Sequence, residues 1–227
     1  MRQPNGDVRT TPASSPPPNH ANRDDLVIGV LALQGDFFAH GKRLEELGIR
    51  WRRVREPADL AGTAGIILPG GESTTLLRLL ASSGLDEGLV DYWRSGGAIF
   101  GTCAGLILLA RTVLNPTQQS LGFLDVTVQR NAYGRQIDSF ETRGRWSPPG
   151  ASEPTDIEMV FIRAPRIVQV GQKARPIAWH QDEIVAVQQG RVLGATFHPE
   201  LGAEYTVHEY FARLCVAEVT ATTKYAS

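Results

Sequence analysis

Ala98-Ile99-Phe100-Gly101-Thr102-Cys103-Ala104-Gly105-Leu106-Ile107-Leu108-Leu109-Ala110 sets one thiol between two apolar runs. Ala98 to Phe100 suits a buried strand and Leu106 to Ala110 a buried helix, so Cys103 falls at a strand-to-helix junction. Small residues on both sides give the backbone the room that a sharp, side-chain-presenting turn needs. Free N–H groups at the start of the incoming helix would stand near the sulfur, where they favour negative charge. The stretch reads as a presented nucleophile.

Upstream, the pattern alternates. Leu26 to Leu31 is a continuous apolar run suited to a buried parallel strand. Gln34-Gly35-Asp36 then turns into a helix carrying Leu44 and Leu47 and ending at Gly48. Ile49 to Val54 and Gly65 to Leu68 are predicted strands. Pro69-Gly70-Gly71-Glu72-Ser73-Thr74-Thr75 leads into leucines at helical spacing, with Ser73 as the expected cap and Gly84 as the stop. A further helix over about 85–95 precedes the Cys103 strand. Beyond Arg111, β-forming runs occupy Phe123–Gln129, Asp138–Thr142, Glu158–Ile162 and Ile167–Val170. Glu183–Val187 and Val192–Phe197 flank a hairpin turn, Gln188-Gln189-Gly190-Arg191. A last helix is predicted over Tyr205–Val219. The expected fold is α/β: a single domain with a mixed, mostly parallel central sheet flanked by helices in flavodoxin-like layers.

Residues 1–24 hold five of the 14 prolines, with Ser, Thr and Asn between them. Such a segment buries too little apolar surface to offset its ordering entropy and is expected to be a disordered tail. Residues 25–220 form the domain, and 221–227 are expected to fray. The 227-residue chain has 42% hydrophobic and 21% charged residues and a net charge of −1, which gives no reason to expect nucleic acid or a membrane as partner. No apolar run approaches the ~20 residues of a membrane helix, and the N-terminus does not read as a signal peptide. A cytoplasmic location is expected, with both cysteines reduced. Cys215 lies among apolar residues at helical spacing and reads as a core thiol.

A cysteine nucleophile needs a base and a group that orients it. Of the five histidines, His20 is in the tail, while His40 and His208 lie in predicted helices. Two have an acid two residues on: His180-Gln181-Asp182 and His198-Pro199-Glu200. The second directly follows an apolar strand, and Pro199 stiffens the turn that holds the carboxylate near the imidazole. His198 is the preferred base and His180 the alternative. Gly70-Gly71 at a helix start exposes backbone N–H groups suited to an oxyanion, paired with that of Ala104. Without Gly-Lys-Ser/Thr, the loop is not a phosphate-binding P-loop.

Gly101-Thr102-Cys103-Ala104-Gly105 with Phe197-His198-Pro199-Glu200 resembles the class I (triad) glutamine amidotransferases. More specific stretches are Leu31-Ala32-Leu33-Gln34-Gly35, Pro69-Gly70-Gly71-Glu72-Ser73-Thr74-Thr75, Arg130-Asn131-Ala132-Tyr133-Gly134-Arg135-Gln136, Asp138-Ser139-Phe140-Glu141 and Phe161-Ile162-Arg163-Ala164-Pro165. Together they resemble the glutaminase subunits of pyridoxal 5′-phosphate synthases, from about Val27 to Phe211.

The resemblance implies a Cys103–His198–Glu200 triad that hydrolyses L-glutamine through a glutamyl thioester. Gly71 and Ala104 would form the oxyanion hole. Gly71, Glu72, Ser73, Arg130, Ile162 and Arg163 would bind the substrate, with Gln34 as an accessory residue. On residue type alone, Arg130 and Arg163 read as surface charge. The resemblance further implies no metal or cofactor, and a synthase subunit as partner that takes the ammonia, typically twelve copies of each. The alternatives are the glutaminase of another amidotransferase, such as imidazole glycerol phosphate synthase, a related α/β cysteine hydrolase, and a non-catalytic subunit. The Ser147–Thr155 loop maps to no role.

Overall fold

The structure, a computed structural model, describes residues 26–130 and 139–217. The expected N-terminal tail, the frayed C-terminus and most of the Arg130–Gln136 motif therefore lie outside the described residues.

Parallel strands fill the first half of the main sheet: β1 (Val27–Leu31), β2 (Arg50–Val54), β3 (Gly65–Leu68), β4 (Ala98–Thr102) and, from late in the chain, β12 (Val192–Ala195). Helices α1 (Phe37–Glu46), α2 (Ser73–Ser83), α3 (Leu85–Arg94) and α4 (Ala104–Leu109) connect the early strands, and α5 (Thr206–Val216) closes the chain. The remaining strands are β5 (Ala110–Leu114), β6 (Leu124–Gln129), β7 (Ser139–Trp146), β8 (Thr155–Ile162), β9 (Arg166–Val170), β10 (Arg175–His180) and β11 (Glu183–Gln189). Among the described residues, nine strands make one sheet in the order β2-β1-β3-β4-β12-β11-β10-β7-β8, and β5-β6-β9 make a second.

β12 is the boundary. It pairs parallel with β4 and antiparallel with β11, and every pairing beyond it to β8 is antiparallel. The sheet is mixed as expected, with its parallel part confined to the half that carries Cys103. Side-chain alternation divides the core in two. Ile28, Val30, Ile67 and Phe100 face Leu44 of α1 and Phe211 of α5, whereas Ile66, Leu68 and Ile99 face Leu76, Leu80, Leu85 and Leu89 of α2 and α3.

One expectation changes, and one strand is added. The apolar run after Cys103 is helical only to Leu109 and then turns into β5, whose parallel partner β6 draws it into the second sheet. Arg175–His180, given no element from the sequence, is strand β10, built between β11 and β7 despite Pro176. Cys215 is buried, as expected of a core thiol, and burial pushes its pKa up. Helix α5 stops at Val216.

Candidate active site

β4 and β12 are hydrogen-bonded neighbours with Thr102 opposite Ala195, so the residues that follow each strand emerge side by side at their C-terminal ends. Cys103 comes next on one strand, and its N–H donates to the Ala195 carbonyl at 2.9 Å. Its backbone sits at φ 49°, ψ −102°, a conformation costly for a residue with a Cβ. The turn exists because its neighbours lack side chains. A Cβ on Gly101 would lie 2.6 Å from the Gly105 carbonyl carbon, and one on Gly105 would collide with the Leu68 carbonyl.

His198 follows the other strand, and its N–H donates to the Val160 carbonyl at 2.8 Å. Its ring Nδ1 lies 2.7 Å from Glu200 Oε1. Cys103 and His198 are each 8% exposed and Glu200 is 2% exposed. Burial alone would lower the His198 pKa, but interactions with the Cys103 side chain and the Glu200 carboxylate outweigh it and raise it to about 10. Burial works the other way on Glu200 and would raise its pKa. The neighbouring His40 ring and the His198 hydrogen bond hold it at about 2. This pair favours a proton on His198 and an ionised Glu200.

Both Cys103 and His198 open onto a cleft of about 380 Å³. Its lining includes Gln34, Gly70, Gly71, Glu72, Ser73, Arg130, Ile162 and Arg163. The Cys103 thiol points to the Ile162 carbonyl, 3.9 Å away. Arg163 adopts φ 42° directly after β8, which turns the chain at the cleft edge. Ala104 is the first residue of α4, the position whose N–H has no acceptor within the helix. Every expected site residue except Ala104 and Glu200 lines the cleft; these two lie behind Cys103 and His198.

The cap of α2 differs from expectation. Glu72, not Ser73, accepts the N–H groups of Thr74 (3.2 Å) and Thr75 (2.7 Å). Those bonds outweigh the slight burial of Glu72 and lower its pKa. A carboxylate also suits the positive end of a helix better than a hydroxyl does. Ser73 is thereby freed to donate to Gln118 Oε1 at 3.0 Å.

The family model for the SNO glutamine amidotransferases matches residues 30–217. The chain belongs to the SNO glutamine amidotransferase family. Relatives agree over most of its length. The pyridoxal 5′-phosphate synthase subunit PdxT of Deinococcus radiodurans is 52% identical over 194 residues, covering 83% of this chain and 97% of that protein. The subunit of the same name from Thermotoga neapolitana is 46% identical over 189 residues, covering 83% and 99%. A crystal structure of a glutamine amidotransferase shares the fold with a TM-score of 0.78 at 41% identity, covering 84% of this chain and 99% of that one.

Other residues of this SNO-family chain contribute that residue patterns did not single out. Gln118 Oε1 also accepts from Arg130 at 2.6 Å, and Arg130 reaches Glu72 at 3.3 Å. That amide thus joins Ser73 and Arg130 directly, and Glu72 is tied in through Arg130. Gln34 Oε1 accepts the Glu72 N–H at 3.0 Å and fills the space beside Gly71, where a Cβ would lie 2.5 Å from it. His180, the alternative base, packs against Phe140 and Phe161 at the end of β10 and is not among the residues lining the cleft. Among the described residues, no helix is long and apolar enough to cross a membrane.

Proposed function

We propose that this chain is the glutaminase subunit of a pyridoxal 5′-phosphate synthase. It hydrolyses L-glutamine to L-glutamate and ammonia and delivers the ammonia to a separate synthase subunit. The single observation that carries the chemistry is the pairing of a strained Cys103 with a buried His198–Glu200 hydrogen bond of 2.7 Å at the ends of adjacent strands. The relatives named as PdxT support the choice of partner over another amidotransferase synthase.

In this reading His198 takes the Cys103 proton, and the sulfur attacks the side-chain carboxamide carbon of glutamine. The N–H groups of Gly71 and Ala104 receive the oxyanion of the tetrahedral intermediate. Protonated His198 gives its proton to the departing nitrogen, releasing ammonia and leaving a glutamyl thioester. His198 then removes a proton from water, whose oxygen attacks the thioester carbon. Collapse expels the sulfur, which recovers its proton, and glutamate departs. Glu200 orients the ring and balances its positive charge.

Arg130 and Arg163 suit the substrate's α-carboxylate, the exposed carboxylate of Glu72 suits its α-ammonium group, and Ser73 and Ile162 complete the contacts. The subunits assemble twelve to twelve. The deciding experiment measures glutamine-dependent ammonia release by the full chain, alone and with a co-expressed synthase subunit, alongside Cys103→Ala. The reading requires release that the partner stimulates and the substitution eliminates; native mass spectrometry of the co-purified complex checks the stoichiometry.

A further inference from the structure

We propose that His40 is a positioning residue for this hydrolysis, its Nε2–H facing the second carboxylate oxygen of Glu200 and so holding the first against His198. The inference rests on the triad reading above. Glu200 Oε1 is committed to His198, whereas Oε2 is buried and has no regular hydrogen bond among the described residues. The ring of His40, itself fully buried on α1, brings Nε2 to 3.4 Å from that oxygen.

An ionised carboxylate only accepts, so the nitrogen facing it must carry the hydrogen. His40 Nε2 also lies 3.2 Å from Thr102 Oγ1, the hydroxyl of the residue preceding Cys103. The assignment propagates outward. With hydrogen on Nε2, His40 Nδ1 is a bare acceptor, and it lies 3.0 Å from Nε2 of the buried His208 on α5. His208 then carries its hydrogen on Nε2, which leaves its Nδ1 bare. That atom is indeed buried without a partner.

One turn further along α1, Arg43 donates to the Glu200 carbonyl at 3.2 Å and to the Gly202 carbonyl. Helix α1 therefore grips residue 200 by side chain and backbone together. The charged and titratable groups around His40 are Glu200, His198, Asp36, His208 and Arg43. Burial, opposed mainly by Glu200, lowers the His40 pKa and keeps the ring a neutral donor.

The test is the pH–rate profile for glutamine hydrolysis by the full chain with its synthase subunit. His40→Leu should lower kcat about 10- to 100-fold, as misplacement of a catalytic group by up to about 1 Å does, with KM nearly unchanged. Its acid limb should move to higher pH, because Glu200 without a donor protonates more readily. His40→Gln, whose amide N–H reaches the same position, should restore most of kcat and the original limb. A merely structural role would alter stability and leave the limb in place.

A folded His40→Leu with unchanged kcat and profile would overturn the proposal, as would His40→Gln as impaired as His40→Leu. Should His40→Leu not fold, imidazole nitrogen NMR of the unaltered protein decides. Hydrogen on Nε2 of His40 supports the assignment, and hydrogen on Nδ1 alone overturns it. Cys103→Ala, run in parallel, separates the two readings. Activity surviving there removes the triad and this inference with it, whereas activity lost there but intact in His40→Leu removes only the inference.

Discussion

The imidazole of His198 occupies the space that a side chain at Gly70 would fill: a Cβ there would overlap Cε1 and lie 3.1 Å from Nδ1. The loop that carries the expected oxyanion donor therefore also forms the wall against which the expected base is seated. Gly70 is not at positive φ, so its backbone tolerates alanine, and the nearest obstacles are all atoms of the ring.

Gly70→Ala should push His198 off its position while the fold persists. Misplacement of a catalytic group by about 1 Å can cost ~10²-fold in rate. Steady-state glutaminase kinetics should show a loss of that order in kcat, with a circular dichroism spectrum like that of the parent. Unchanged kcat would mean that His198 is not the base.

Cys103 should be a site where function opposes stability. Alanine keeps the costly backbone conformation, whereas glycine relieves it. Cys103→Gly should thus be more stable than Cys103→Ala by about 1 kcal/mol, within the ~1–3 kcal/mol such strain costs. Both should be inactive. Chemical denaturation of the two variants provides the comparison.

Gln118→Ala removes the acceptor shared by Arg130 and Ser73. Binding should weaken more than chemistry: KM for glutamine should rise about 10-fold, the ~1.4 kcal/mol of a lost charge-assisted hydrogen bond, with a smaller change in kcat. A change in kcat alone would place Gln118 in a different role.

Stability should peak near neutral pH, and each limb has a named cause. Burial lowers the His208 pKa to about 3, whereas an unfolded histidine binds its proton near 6.5. Between those values the unfolded chain holds the extra proton, so acid destabilises the fold, by an amount on the order of 5 kcal/mol below pH 3. Glu200, depressed to about 2, adds to the same limb: its stabilisation is present above its unfolded value and lost as pH falls. His198 acts at the other end. Raised to about 10, it contributes stability below 6.5 that disappears as pH climbs through 10. Thermal melts from pH 4 to 10 measure both limbs. His208→Phe should flatten the acid side, and His198→Asn the alkaline side.

The residues most legible in the sequence were those whose chemistry demands a local pattern. A nucleophile at a strand-to-helix bend needs small neighbours, and a base with its acid two residues on needs a strand end. Those marks survive in Gly101–Gly105 and His198–Glu200. What was not legible acts across long separations without a pattern of its own. Gln118 meets Ser73 and Arg130, and His40 meets Glu200, through tertiary folding that no spacing announces. Arg130 and Arg163 were read as site residues only through family resemblance, because an isolated arginine looks like surface charge. The overlooked strands have physical reasons too. Ala110 continues an apolar run that reads as helix, and Pro176 argues against a strand until β11 and β7 supply the pairing.

Strand β12 divides the molecule by task. Cys103 and His198 follow neighbouring strands on its parallel side, so sheet pairing brings their segments together, and the Val160 carbonyl of β8 fixes the backbone of His198. Ile162 and Arg163 come from the far antiparallel edge, and Arg130 follows the small sheet. The side chains of Arg130 and Arg163 are therefore open to change without altering the strand ends that present the thiol and the imidazole, which makes the scaffold a natural starting point for retargeting to other carboxamides.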